Sequence, residues 1–268
     1  MTRSLGVTLG VARRSAGKLA RNPGPALPPL LIPLFMFAAV SGALSRVSGT
    51  KGFTYYNYTA FAFVFVLYMA AMFVGVFTGI EIAGDYATGI GARLMLAAPR
   101  RLAIIGGYLL TSFVRAAFSL AVVWAVALVT GMPVRGGPID IAGLIALALM
   151  LNVATTLYGA GVALRLQSVG GGVLIFIPVF MVMFLTPAFV PRHLLTGWLN
   201  TATSLNPLTP AMESGRGFMA DAPFHVVLAF AANAGLVLLF LVWTITGMHK
   251  AERGPGGGRS RRPRRSKR

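Results

Sequence analysis

Long runs of apolar residues, separated by short polar segments, dominate the chain. Six of these runs carry almost no charged side chain, and each approaches or exceeds the roughly 20 residues that an α-helix needs to cross a bilayer. They occupy residues 22–45, 52–80, 102–134, 141–164, 166–191 and 222–248. The pattern predicts an all-α integral membrane protein with six transmembrane helices.

Two further stretches have shorter helical patterns. The first 21 residues place leucine and alanine on one face, with Arg13, Arg14 and Lys18 largely off it, which predicts an amphipathic helix lying on the inner leaflet. The residues of this apolar face are Leu5, Leu9, Ala12, Ala16 and Leu19. The apolar segment 192–221 is interrupted at Asn206-Pro207, which predicts two short re-entrant or interfacial helices before the last span.

These patterns divide the chain into three parts. Residues 1–21 form the predicted amphipathic interface helix, and residues 22–249 form the six-helix membrane domain. Residues 250–268 are rich in Gly, Pro, Arg and Ser and cannot bury an apolar core. We therefore predict a disordered, basic cytoplasmic tail.

The distribution of charge predicts the orientation in the membrane. Only 11% of the residues are charged, the net charge is +18, and Lys and Arg are concentrated at the two ends and near residues 93–101. Positive segments stay in the cytoplasm. We expect a multi-pass protein of the inner (plasma) membrane with both termini cytoplasmic. Because the basic residues lie outside any foldable soluble domain, we expect them to contact anionic lipid and not nucleic acid.

The residues needed for catalysis are sparse. The sequence contains no cysteine and no glycine-rich phosphate loop ending in Lys and Ser or Thr. No acidic residue falls within a predicted span, and the three histidines are scattered near span ends. We expect no catalytic residue, no metal and no cofactor in this chain. Arg115 is the one charge inside a span. It either reaches the inner headgroups or faces a cavity and meets an anionic substrate headgroup.

Two polar segments have distinctive spacing. Segment 81–101 begins with Glu81 and Asp85 and ends at Pro99 and Arg101, which predicts a short cytoplasmic helix with Asp85 near its N-terminus. Asn206-Pro207 predicts a turn followed by a helix, on which the side chains of Glu213 and Arg216 can pair.

These two segments resemble motifs of the permease subunits of type-2 ABC exporters, the group with the daunorubicin-resistance and polysaccharide-export permeases. The first motif is acidic-x-x-x-Gly-x-x-x-Arg-Leu followed by Pro and a basic residue, here Asp85, Gly89, Arg93, Leu94, Pro99 and Arg101. The second is represented by Asn206, Pro207, Leu208, Thr209, Glu213 and Arg216. This chain has Ile90 and Ala92 where the family often has a threonine and an acidic residue.

The resemblance implies a permease that works as a homodimer or with a related subunit. ATP and Mg²⁺ would be bound by a separate ATP-binding subunit that contacts Glu81 and the first motif, so this chain would not itself be an enzyme. The implied cargo is hydrophobic or amphipathic: a drug, a lipid, or a glycolipid or polysaccharide. The candidate substrate path comprises Tyr55, Tyr58, Phe61, Phe65, Met69, Arg115, Phe176, Phe180 and Phe184. The alternatives are an intramembrane lipid-modifying enzyme and a secondary drug transporter.

Overall fold

The protein is helical throughout the part of the chain that the structure describes. This computed structural model describes residues 2–22, 24, 27–44, 48, 53–97, 102–168 and 170–252. The α-helices are α1 (Thr2–Arg21), α2 (Leu27–Leu44), α3 (Tyr58–Ala87), α4 (Ile90–Ala97), α5 (Leu102–Val129), α6 (Pro138–Leu166), α7 (Gly171–Phe184), α8 (Gly197–Leu205), α9 (Thr209–Met219) and α10 (Val226–Glu252). The predicted all-α membrane architecture is confirmed. The proposed tail falls almost entirely outside the described residues.

Five helices are long and apolar enough to cross a membrane, namely α2, α3, α5, α6 and α10. The predicted fifth span is shorter than expected, because α7 has only 14 residues and a length of about 21 Å. Its rings nevertheless follow α3 along the bundle: Phe176 packs on Phe73, and Phe184 packs on Phe65. Together with the turn after Phe184, α7 therefore makes a sixth passage through the bundle.

Helix α3 is the centre of the bundle. It contacts α2, α5, α6, α7 and α9, and almost all of its apolar segment is buried. Gly75 and Gly79 bring its backbone against α6: a Cβ added to Gly79 would lie 2.6 Å from Cα of Gly159. Small residues spaced four apart allow this close approach of membrane helices. Asn152 of α6 also donates a hydrogen bond to the carbonyl of Ala71, at 3.0 Å.

The contacts between helices define two ends of the bundle. The last turns of α3 and α6 and the first turn of α5 lie together with α1 at one end, which we call the α1 end. The first turns of α3 and α6 lie with α8 and α9 at the opposite end, the α9 end. Arg165 near the end of α6 contacts Thr246 of α10, at 2.7 Å, so α10 finishes at the α1 end.

Helix α1 forms as predicted, and the face that it packs against the other helices is not its leucine–alanine face, whose contact with the inner leaflet stays a prediction. Val11 and Ser15 are buried, whereas Leu9 is 53% exposed and Ala16 is also exposed. Leu5 and Leu19 have no described side chain. The packed face is rotated by about 120° from the leucine–alanine face, at 100° per residue. The reason is electrostatic, because the surface beneath α1 carries two acidic side chains that require Arg14, Ser15 and Lys18.

Candidate functional site

A cluster of charged side chains joins three helices at the α1 end. We call it the charged cluster; it consists of Arg14 and Lys18 from α1, Glu81 and Asp85 from α3, and Arg115 from α5. Glu81 and Asp85 are four residues apart, so both point to the same side of α3. Helix α3 continues past Ile80, the predicted end of the second span, to Ala87, so both carboxylates lie on the same helix as that span.

Asp85 is the most buried member of the charged cluster. Its side chain is 2% exposed and accepts two hydrogen bonds from Arg14, at 2.9 and 3.0 Å. The hydroxyl of Tyr108 donates a third, at 2.7 Å, and the ammonium of Lys18 lies 3.4 Å away. The hydrogen bond to Asp85 raises the pKa of the Arg14 guanidinium above its usual value. A bidentate pair of this kind fixes α1 on α3 in one register.

Glu81 forms the second connection of the charged cluster. Arg115 donates a hydrogen bond to Glu81 at 2.8 Å, and the hydroxyl of Ser15 donates to the other carboxylate oxygen at 2.7 Å. Arg115 also donates to the Ser15 hydroxyl at 3.0 Å. The side chain of Arg115 is therefore engaged within the protein. Contact of Arg115 with the inner headgroups or with a substrate headgroup stays a prediction.

The predicted helix over 81–101 is divided in the structure. Asp85 lies in the last turn of α3 and not at the N-terminus of a separate helix, which corrects that expectation. A turn at Thr88-Gly89, with φ +76° at Gly89, leads into the short helix α4. Gly91 of α4 packs on the ring of Tyr86, and a Cβ there would lie 2.6 Å from it.

Helix α4 presents two different surfaces. Leu94 packs on the apolar core, whereas Arg93 is exposed and Leu96 is 90% exposed. Pro99 and Arg101 lie outside the described residues. The described part of the motif therefore combines a core contact, a glycine turn and an exposed surface of one arginine and one leucine.

The Asn-Pro motif joins α8 and α9 to the end of α7. The side chain of Asn206 accepts a hydrogen bond from the amide of Leu208 at 2.9 Å and donates one to the carbonyl of Val182 at 2.6 Å. Helix α9 begins at Thr209, whose hydroxyl donates to the carbonyl of Thr203 at 2.7 Å. The predicted turn followed by a helix after Asn206-Pro207 is confirmed.

Arg216 lies at the α9 end with 2% of its surface exposed. It donates to the carbonyls of Phe61 at 3.3 Å and Ala188 at 3.1 Å, and its guanidinium lies 3.4 Å from the centre of the Phe61 ring. Burial lowers its pKa to about 10, so it remains protonated at neutral pH. The expected pairing with Glu213 is wrong: the ion-pair partner of Glu213 is Arg192, at 3.8 Å. Glu213 and Arg216 are neighbours on α9, but each contacts partners from other elements.

Most of the candidate substrate-path residues pack inside this chain. Tyr58, Phe61, Phe65 and Met69 are buried on α3, and the hydroxyl of Tyr58 donates to the carbonyl of Phe189 at 3.0 Å. The rings of Phe176, Phe180 and Phe184 stack in sequence along α7. Phe180 is exposed, and Tyr55 lines a surface cavity. A path along the α3 residues would require helices of this chain to separate.

Several residues of the site were missed by the sequence interpretation. Arg14 and Lys18 were assigned to a lipid-facing helix, and Ser15 and Tyr108 carried no signal of their own. The four-residue spacing of Glu81 and Asp85 was a usable signal, because two carboxylates on one helical face require cations nearby. The described residues include no group of three or more His, Asp or Glu side chains arranged to hold a metal.

The helical bundle with several apolar helices defines a multi-pass membrane protein. The sequence model of the ABC-2 type transporter family matches residues 8–220. The chain therefore belongs to the ABC-2 type transporter family, and it is a membrane-spanning permease subunit of an ABC transporter. Subunits of this family are not themselves catalytic and normally work with an ATP-binding subunit. No curated protein matches the chain significantly.

Proposed function

We propose that this chain is the permease of an ATP-driven exporter for a hydrophobic or amphipathic substrate, related to the daunorubicin-resistance and polysaccharide-export permeases. In this proposal it works in the inner (plasma) membrane, as a homodimer or with a related subunit, and the α1 end faces the cytoplasm. ATP and Mg²⁺ bind to a separate subunit that docks on α4. The cargo in this proposal is a drug, a lipid, or a glycolipid or polysaccharide.

The observation that carries the proposal is the position of α4. Its exposed surface, with Arg93 and Leu96, is connected through the Gly89 turn to the end of α3. That end of α3 is tied by the charged cluster to α1 and α5. A force applied to α4 would therefore reach three helices together, since Arg14 and Arg115 hold them in register.

The basic ends of the chain support the proposed orientation. The cytoplasmic side of a membrane protein carries more Lys and Arg, and α1 contributes Arg13, Arg14, Lys18 and Arg21 at the α1 end. Lys250 near the end of α10 lies at the same end of the bundle. These residues favour a cytoplasmic α1 end.

The test is to co-purify the permease with its ATP-binding subunit and to measure ATPase turnover in lipid. Arg93→Ala combined with Leu96→Ala removes the exposed surface of α4 without removing a core contact. We expect at least a tenfold loss of bound ATP-binding subunit, about 1.4 kcal/mol. The matched control is Arg135→Ala with Val129→Ala, an exposed arginine and an exposed apolar residue at the α9 end.

The control should retain the ATP-binding subunit fully. The proposal fails if no nucleotide-binding protein co-purifies with the wild-type chain. It also fails if the α4 variant and the control behave alike, because α4 would then not be the docking surface.

A further inference from the structure

A cavity of about 450 Å³ opens at the α9 end, and nothing in the proposed function uses it. The chain segment before α3, the turn after α7, and helices α8 and α9 line it. The polar residues in its lining are Tyr55, Arg192, His193, Asn200, Glu213 and Arg216. Its volume is within the range of sites that bind small molecules or headgroups.

The cavity contains an unbalanced positive charge. Arg216 and Arg192 both line it, and Glu213 supplies a single carboxylate in the same lining. Among the described residues, no carboxylate lies within salt-bridge distance of Arg216. Its observed partners are two backbone carbonyls and the rings of Phe61 and Tyr55, which carry no full charge to neutralise it.

The contact between Arg192 and Glu213 leaves both side chains accessible to a ligand. Their separation of 3.8 Å is longer than a hydrogen bond. Arg192 is 42% exposed and Glu213 is 14% exposed. An incoming anion can therefore bind Arg192 without breaking a bidentate pair, which distinguishes this contact from the pair of Arg14 and Asp85.

We propose that this cavity binds the monoanionic headgroup, a phosphodiester or carboxylate, of the amphiphile that the permease exports. The excess of one positive charge matches one negative charge on the ligand. The ring of Tyr55 and the rings of Pro187 and Pro191 face the less polar part of the headgroup. The assignment to exported cargo rests on the proposed function, whereas the assignment of an anion site rests on the cavity itself.

The test measures binding of radiolabelled lysophosphatidylglycerol, a monoanionic single-chain lipid, to the full chain in a neutral maltoside detergent. Arg192→Gln should weaken binding about tenfold, since a charge-assisted hydrogen bond is lost. Glu213→Gln should strengthen it about threefold, because a like charge is removed. If Arg192 and Glu213 had a merely structural role, the two substitutions would not change the affinity for the lipid in opposite directions.

Arg135→Gln is the matched control, since Arg135 is an exposed arginine at the same end that lies over Tyr56 and outside the cavity lining. It should change the affinity less than twofold. Inorganic phosphate and an uncharged monoacylglycerol should compete at least tenfold less well than the lipid.

Equal competition by inorganic phosphate would overturn the amphiphile assignment in favour of a free anion. Equal competition by the monoacylglycerol, or unchanged binding in both Arg192→Gln and Glu213→Gln, would overturn the anion site. The measurement needs no ATP-binding subunit, so its failure is separate from that of the proposed function. Conversely, charge-dependent lipid binding by a chain that never recruits an ATP-binding subunit would remove the export role and keep the site.

Discussion

The two ends of the bundle bury positive charge in different surroundings. At the α1 end, Arg14 and Arg115 each meet a carboxylate of α3 at hydrogen-bond distance. At the α9 end, Arg216 is more deeply buried but contacts only carbonyls and aromatic rings. An arginine hydrogen-bonded to a carboxylate suits a rigid joint between helices, whereas an arginine held by carbonyls and rings keeps its charge available for a ligand.

The same contrast appears in the backbone around each group. The charged cluster draws its members from long helices, whose positions are set along their whole length. Arg216 and Glu213 lie on the short helix α9, whose position depends on the hydrogen bonds of Asn206 and Thr209.

The largest expected effect comes from the close contact between α3 and α6 at Gly79. Gly79→Leu should destabilise the whole bundle by about 3 kcal/mol or more, because its side chain would collide with the backbone of Gly159. Denaturant unfolding in mixed micelles would measure this. The control is Gly84→Leu, where an added Cβ meets no atom within 4 Å. If Gly79→Leu is as stable as Gly84→Leu, the contact between Gly79 and Gly159 does not hold α3 against α6.

The next largest effect is expected at the α1 end. Asp85→Asn leaves Arg14 and Lys18 without their carboxylate and should cost about 3 kcal/mol, as for other broken buried pairs. The same unfolding measurement applies, with Asp221→Asn as the control, because Asp221 is exposed and asparagine tolerates its φ of +57°. A loss below about 0.5 kcal/mol would mean that the charged cluster is not a rigid joint.

A smaller effect is expected from the link between α7 and α9. Asn206→Ala removes the hydrogen bonds to Val182 and Leu208 and should cost about 2 kcal/mol. Limited proteolysis between α8 and α9 should become faster than in the wild type. Thr201→Ala, an exposed change on α8, should leave the proteolysis rate unaltered. Equal rates in both variants would show that Asn206 does not hold α9 in place.

The smallest effect on stability is expected from Arg216→Met. It leaves two carbonyls without their donor but also removes a desolvated charge without a counter-ion, so the net cost should be about 1 kcal/mol. The loss of stability in Arg216→Met, divided by the loss in Asp85→Asn, directly measures how differently the two ends of the bundle pair their buried arginines. A loss as large as that of Asp85→Asn would contradict the interpretation that Arg216 is incompletely paired.

Sequence patterns predicted the helices better than they predicted the contacts between them. The amphipathic helix, the apolar spans and the turn at Asn206 followed from periodicity and composition. The length of α3 did not follow from the sequence, because two acidic residues, Glu81 and Asp85, indicate the end of an apolar helix unless their cationic partners are known. Likewise, Glu213 and Arg216 have the three-residue spacing of a pair on one helical face, yet each contacts residues outside α9.

The sequence by itself determined that the chain enters a membrane, because its apolar runs cannot be hidden in a soluble core of this size. It also located the two motifs that proved to lie at opposite ends of the bundle. Tertiary structure alone decided which charges are neutralised, since Arg14 and Asp85 are far apart in the chain and meet only when α1 packs on α3 and α5. The same is true of Arg216, whose partners come from the start of α3 and the turn after α7. Which charges pair depends on their positions in the folded protein, and the periodicity along one helix carries no information about those positions.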